Sequence, residues 1–376
     1  MSKSEEKARN QRLRRGPSRA PAHVPESGRV PVGRLGTYGT LWYVKRRFRF
    51  GNAAISLSVV AVVSVVVALS LVWTAGGRHD VGSAADVGPF PKDFVDIRDV
   101  PRSAPPAAGP DASTGTFTED CGRNEDLHRN SDNLVQSPGL HNGAHHTHDY
   151  VGNLSTTAFS TDAQLAAART TCHDGDRSTY YWPVLRRQDR PTSPMAGGGG
   201  HHGNIGEILL PSSVTVEYLG NRASDVVAMP RFLRFITGDP AAATAGTALA
   251  HAQWGCAGFP DRVTTQYPRC PDGRVVRTLD FPSCWNGLDT DSEDHRGHIA
   301  FPRADGACPP GTFPVPQLRL VIAYRVPEGA PIALDAFPEQ KHAPITDHAA
   351  FVNVMTGKQM AEVVACLNDG RHCKVT

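Results

Sequence analysis

Histidine and carboxylate side chains crowd into three short stretches of this 376-residue chain, and that pairing binds divalent metals or moves protons. The densest stretch is 143–153, GAHHTHDYVGN. In an extended backbone His146 and His148 fall on one face, because side chains alternate with a period of two. Two imidazoles so placed could share Zn²⁺, Cu²⁺ or another divalent ion. The second stretch, 284–298, supplies Asp289, Asp291, Glu293, Asp294, His295 and His298 behind Trp285. Its D-x-D-x-E run also suits Ca²⁺, yet it lacks the glycine that an EF-hand needs at its sixth position. Asp347-His348 adds a third imidazole-bearing segment.

If the three segments meet, His146, His148, Asp291, Asp294, His295 and His298 are the candidate catalytic groups. His146, His148, His295, His298 and His348 are the candidate ligands of a divalent metal ion. Such a centre activates water or a sugar hydroxyl. Asp289, Asp291 and Asp294 also allow a paired-carboxylate glycosidase. The same polar groups could instead hydrogen-bond one another and hold loops in place. His145, His201 and His202 read as exposed loop residues.

The elements that must carry these residues read as mainly β. Alternating or β-branched apolar runs recur at 205–210, 214–219, 231–237, 274–280, 318–326 and 349–354, separated by Pro-rich turns. Helices are expected at 161–169 and 358–367, the second with Met360, Val363, Val364 and Leu367 on one face. No strand–helix alternation argues for a parallel sheet, and there is no internal repeat. The expected architecture is a two-sheet, jelly-roll-like β-sandwich with long disulfide-tied loops and a few helices, preceded by one transmembrane helix. All eight cysteines follow residue 120, which fits four disulfides in an oxidising compartment. Connectivity stays open, although Cys366 and Cys373 are close enough for a local pair.

Residues 53–73 contain no charge, proline or glycine, and as a helix they span about 31 Å, the thickness of a bilayer core. Lys45, Arg46, Arg47 and Arg49 precede the run, so the positive-inside rule puts the N-terminus in the cytoplasm and the rest outside. The expected organisation is a basic disordered tail (1–52), a single-pass anchor in the cell membrane (53–73), a Pro/Ala/Gly-rich linker (75–114) and an extracytoplasmic domain (115–376). The tail carries 13 Lys/Arg against 3 Asp/Glu, whereas the chain as a whole is only +2. That split excludes a uniformly basic nucleic-acid binder, and no nucleic-acid partner is expected. The run GGGHHG at 198–203 formally fits a dinucleotide fingerprint, but no strand precedes it and no βαβ unit surrounds it.

The stretches 143–153, 284–302 (CWNGLDTDSEDHRGHIAFP) and 348–353 (HAAFVN), with 155–160, 180–183 (YYWP) and 235–239 (FITGD), together resemble the DUF1996 family of domains of unknown function. The resemblance covers roughly 133–366. It implies an extracytoplasmic, often carbohydrate-associated domain of the kind found on actinobacterial surfaces and in secreted fungal proteins. His146, His148, Asp291, His295 and His298 fall on the family's recurring His/Asp positions. Ala350 stands where the family often has aspartate, and Asn286 likewise.

The expected function is action on, or binding of, envelope or environmental polysaccharide at the cell surface, with a His/Asp metal site and with Tyr180, Tyr181, Trp182 and Trp285 as stacking platforms. A metal-assisted hydrolase or lyase is one form of it. A non-catalytic glycan- or metal-binding module and a structural envelope protein are the alternatives.

Overall fold

The computed structural model describes residues 87–193 and 203–375; the basic tail, the apolar run 53–73 and His201-His202 lie outside the described residues. Among the described residues no helix is long and apolar enough to cross a membrane.

Alternating apolar positions build the larger sheet. In Gln317–Arg325 the residues Leu318, Leu320, Ile322 and Tyr324 are buried and their neighbours are not. This strand lies between Arg274–Asp280 and Ser213–Leu219, both antiparallel to it. Gln253–Cys256 and Phe259–Thr264 extend the sheet on one side, and Thr116–Glu119 and His372–Lys374 on the other, giving seven strands.

The second sheet has five strands in the order Arg129–Asn130, His148–Gly152, Thr179–Pro183, His348–Val352 and Arg234–Gly238, all antiparallel. Val151, Tyr180, Trp182, Phe235 and Phe351 from one of its faces join Tyr218, Val275, Leu279 and Leu320 of the seven-stranded sheet in one core. The opposite face carries Tyr150, Tyr181, Ile236, Ala350 and Val352, packed against Leu134, Val135 and Leu165. Both faces being covered, its central strands have no buried/exposed alternation.

Mainly β architecture, few helices and long disulfide-tied loops agree with the sequence. Among the described residues, however, the strands divide among five sheets rather than two. Helices form at Asp162–Ala167 and Gly357–Asn368, each opened by a threonine–glutamine capping box. The latter buries Met360, Val363, Cys366 and Leu367 as a stripe. A third, Ala242–Ala245, is a single short turn.

Within the segment expected as a linker, the described residues include regular elements. Phe94–Asp96 pairs in parallel with Tyr267–Arg269, and Ile97 is fully buried beside it. The strand itself, Phe-Val-Asp, contains no proline, and Pro268 of its partner is tolerated because in a two-stranded ribbon one side needs no ladder donors.

Four disulfides join Cys121–Cys172, Cys256–Cys270, Cys284–Cys308 and Cys366–Cys373, leaving no free cysteine among the described residues. The loops they close span 51 and 7 residues at the two extremes. If restriction of the unfolded chain dominates, replacing Cys121 and Cys172 by alanine lowers stability by about 4 kcal/mol, and the same change at Cys366 and Cys373 by about 2 kcal/mol. Urea unfolding of the two double variants checks that order.

Candidate metal centre

His148 opens one strand of the five-stranded sheet and His348 opens another; Thr179–Pro183 runs between them. His148 registers with Pro183, and the Ala350–Tyr181 pairing carries His348 toward the same proline. The two imidazoles therefore leave the same face on either side of a compact ring. His146, two residues before His148, reaches over from the loop.

The three Nε2 atoms converge. His146 Nε2 is 3.1 Å from that of His148 and 3.2 Å from that of His348. Donors bound 2.0–2.1 Å from a tetrahedral ion stand about 3.3 Å apart, so the spacing is that of a coordination shell. The rings meet edge to face, and Phe337 closes against His146 at 5.3 Å between centroids. Exposure is 1%, 0% and 2% for His146, His148 and His348.

Tautomers follow from the outer nitrogens. His148 Nδ1 lies 3.0 Å from the Asp132 carbonyl and His348 Nδ1 2.9 Å from the Thr346 carbonyl. A carbonyl only accepts, so both Nδ1 atoms carry protons and both Nε2 atoms present lone pairs inward. A single proton on His146 Nε2 would have to divide itself between them. Burial depresses the imidazole pKa values: to about 3 in His148 and well below the ordinary value in His146, where neighbouring imidazoles add to it, and to about 4 in His348, where the Arg277 and Arg296 charges add to it. All three are neutral near pH 7, the state in which imidazole binds metal.

Three buried ion pairs fix the residues next to these histidines. Asp347 receives Arg277 through two bonds of 2.5 and 3.0 Å, with both side chains fully buried. Arg277 also donates to the Pro183 carbonyl at 2.9 Å, so one guanidinium ties the central strand Thr179–Pro183 to the residue just before the His348 strand. Asp335, paired with Arg186, accepts the Thr147 backbone N–H at 3.1 Å, between His146 and His148. Asp149 is held by Arg129 at 2.6 Å and by Asn124. Gly238 faces the start of the His348 strand at φ +74, where a Cβ would stand 2.2 Å from the Asp347 carbonyl oxygen. Only glycine allows that approach.

The middle segment does not join this group. Among the described residues the only other metal-type cluster is Cys121, Cys172 and Asp176, whose sulfurs are bonded to each other. His298 is buried, and its Nε2 donates to the Arg234 carbonyl at 2.9 Å while Nδ1 faces Ser292 Oγ at 2.8 Å. With both nitrogens engaged, it offers no lone pair to an ion in this arrangement. His295 Nδ1 meets Asp291 Oδ1 at 2.8 Å. Asp294 is held well below the usual carboxylate range by the backbone N–H groups of Gly297 and Arg296 and by Ser292. Arg296 donates to the Gly238 carbonyl, and the Arg234 N–H to the Thr290 carbonyl. Arg234–Gly238 is the outer strand of its sheet, so the segment covers an edge that would otherwise stay open. The expected convergence is thus met by two of the three segments.

Tyr180, Tyr181 and Trp182 are 0%, 1% and 0% exposed, which removes them as sugar platforms; they are core. Arg277, Arg186 and Asp335 were not singled out in the sequence. Arg277 carried a signal: in Arg274–Asp280 it alternates with Val275 and Leu279, an apolar face on which a charge demands a buried partner.

The profile described as "Domain of unknown function (DUF1996)" matches residues 132–353, more than half of the chain. The chain belongs to the DUF1996 family. No curated protein and no solved structure matches it. The DUF1996 segment begins at Asp132, whose carbonyl orients His148, and contains all three clustered histidines.

Asp347→Asn leaves Arg277 buried without a counter-charge, and the expected loss is about 3–5 kcal/mol. The double change Arg277→Met, Asp347→Leu removes both charges and recovers most of it. Denaturant midpoints of the three proteins test this.

Proposed function

We propose that this protein is a surface-anchored binding module that holds one divalent transition-metal ion on His146, His148 and His348. The observation that carries this reading is the convergence of three Nε2 atoms, two of them with Nδ1 protons committed to backbone carbonyls. Imidazole donors and tetrahedral spacing favour Zn²⁺ or Cu²⁺ over Mg²⁺ or Ca²⁺. Holding the ion fits better than hydrolysis, since Asp149, Asp335 and Asp347, the acids flanking these histidines, are each paired with an arginine. Membrane attachment through 53–73 and an outward-facing domain complete the reading, supported by charge asymmetry in the sequence and by the four disulfides.

Elemental analysis of the purified full-length chain tests it. We expect about one equivalent of zinc or copper, a drop of at least about tenfold in occupancy in His148→Ala and His348→Ala, and no change in His295→Ala. Metal-free wild type that cannot be loaded with Zn²⁺ or Cu²⁺ would refute the assignment.

One observation favours a polysaccharide partner as well. A cavity of about 460 Å³ is lined by Arg123, Arg274, Arg325, Ser212 and Ser213. Arg274 and Arg325 stand directly opposite across two strands, an unfavourable like-charge pair. Arg274 is neutralised by Asp272 and Arg123 by Glu125, which leaves Arg325 the cavity's arginine without an ion pair. A uronate or phosphate of an acidic wall glycan would supply the missing charge. Arg325→Glu should then weaken retention on an acidic glycan by about tenfold, and unchanged retention would dismiss that partner.

A further inference from the structure

Tyr150, Tyr181 and Phe337 pack on the three clustered imidazoles. The two tyrosines are core side chains of the five-stranded sheet. Phe337 differs from them, being only half-buried. It stands between the strand Ile332–Leu334 and the single turn Pro338–Gln340. Its ring meets His146 edge to face at 5.3 Å and lies 5.8 Å from the ring of His145, which is exposed. Of the three rings, Phe337 alone touches the cluster on one side and solvent on the other. The backbone around it is pinned. Asn204, fully buried, accepts the Ala336 N–H on Oδ1 at 3.0 Å. Its Nδ2 donates to the Ala336 carbonyl at 3.1 Å and to the His145 carbonyl at 3.4 Å. One amide thus fastens the residue before Phe337 to the residue before His146. On the far side Gln340, also buried, accepts the Ala243 N–H at 3.1 Å and donates to Thr244 Oγ1 at 2.6 Å.

Held at Ala336 and Gln340, this stretch of chain lifts away only by breaking those bonds, whereas the Phe337 ring turns outward at the cost of its contacts with His145 and His146. We propose that Phe337 is the gate of the metal centre and Asn204 the fastener that keeps it against His146. An ion reaches or leaves the Nε2 atoms when the ring swings aside. This inference rests on the reading of His146, His148 and His348 as a metal site. A phenyl ring carries no donor atom, so it adds nothing to coordination, and its effect on the ion is on passage and on the exclusion of water. An ion behind such a gate exchanges slowly in both directions, because entry and exit wait for the same local opening.

Two rates measured on the full-length chain test this: Zn²⁺ uptake by the metal-free protein, and Zn²⁺ release into excess EDTA. Phe337→Ala should speed both by at least about tenfold, so that affinity moves far less than either rate. Phe337→Leu, which keeps an apolar side chain, should fall between. Faster release with unchanged uptake would mark Phe337 as a packing residue and overturn the gate. A second readout needs no metal, namely deuterium exchange at the imidazole C2 positions of the metal-free chain. Phe337→Ala should raise exchange at His146 and His348 by at least about tenfold. His298, buried in a different hydrogen-bonded setting, should keep its wild-type rate, which also shows that the variant is folded. Wild type that takes up no Zn²⁺ would refute the metal assignment, and C2 exchange would then decide the gate by itself. Exchange at His146 and His348 that does not respond to Phe337→Ala would overturn it.

Discussion

Three imidazoles and the acids beside them sit where water does not reach, and the cost of placing them there shapes the surrounding structure. A buried carboxylate is tolerated only when paired and hydrogen-bonded. Asp149, Asp335 and Asp347 each receive an arginine, and each is adjacent to a clustered histidine or accepts from the backbone between two of them. The ion pairs thus compensate buried charge and also fix the direction in which the imidazoles point. Arg277 shows this most directly: it grips Asp347, the Pro183 carbonyl and the Tyr324 hydroxyl, and its guanidinium lies over the Trp254 ring.

The acids also bear on the chemistry. A metal on three histidines becomes hydrolytic when a base can take a proton from its water. Here the nearest acids balance arginines instead, and the rings are enclosed by Phe337, Tyr150 and Tyr181. The 284–298 segment, rich in the same residue types, spends them on the edge of the sheet. Chemically capable residues and chemically free ones are therefore different sets in this protein, and hydrogen-bond accounting separates them.

Much of the fold was legible. The strand Arg274–Asp280 and the 3-4 stripe of the helix Gly357–Asn368 appear where periodicity places them. Oxidised cysteines followed from their confinement to one part of the chain, and Cys366–Cys373 from proximity. His148–Gly152 and Thr179–Pro183 did not show, because strands buried on both faces lose the alternation that marks a strand. For the same reason Tyr-Tyr-Trp at 180–182 looked like a surface platform and proved to be core.

The sequence by itself determined which residues were capable of chemistry and that the domain would be mainly β and cross-linked, since these depend on local period and composition. Tertiary structure alone decided that His348 joins His146 and His148 from 200 residues away, while His295 turns to Asp291 of its own loop and His298 ties that loop to the Arg234 carbonyl. Strand order and register made that choice. They set which distant side chains become neighbours, and no local pattern encodes them.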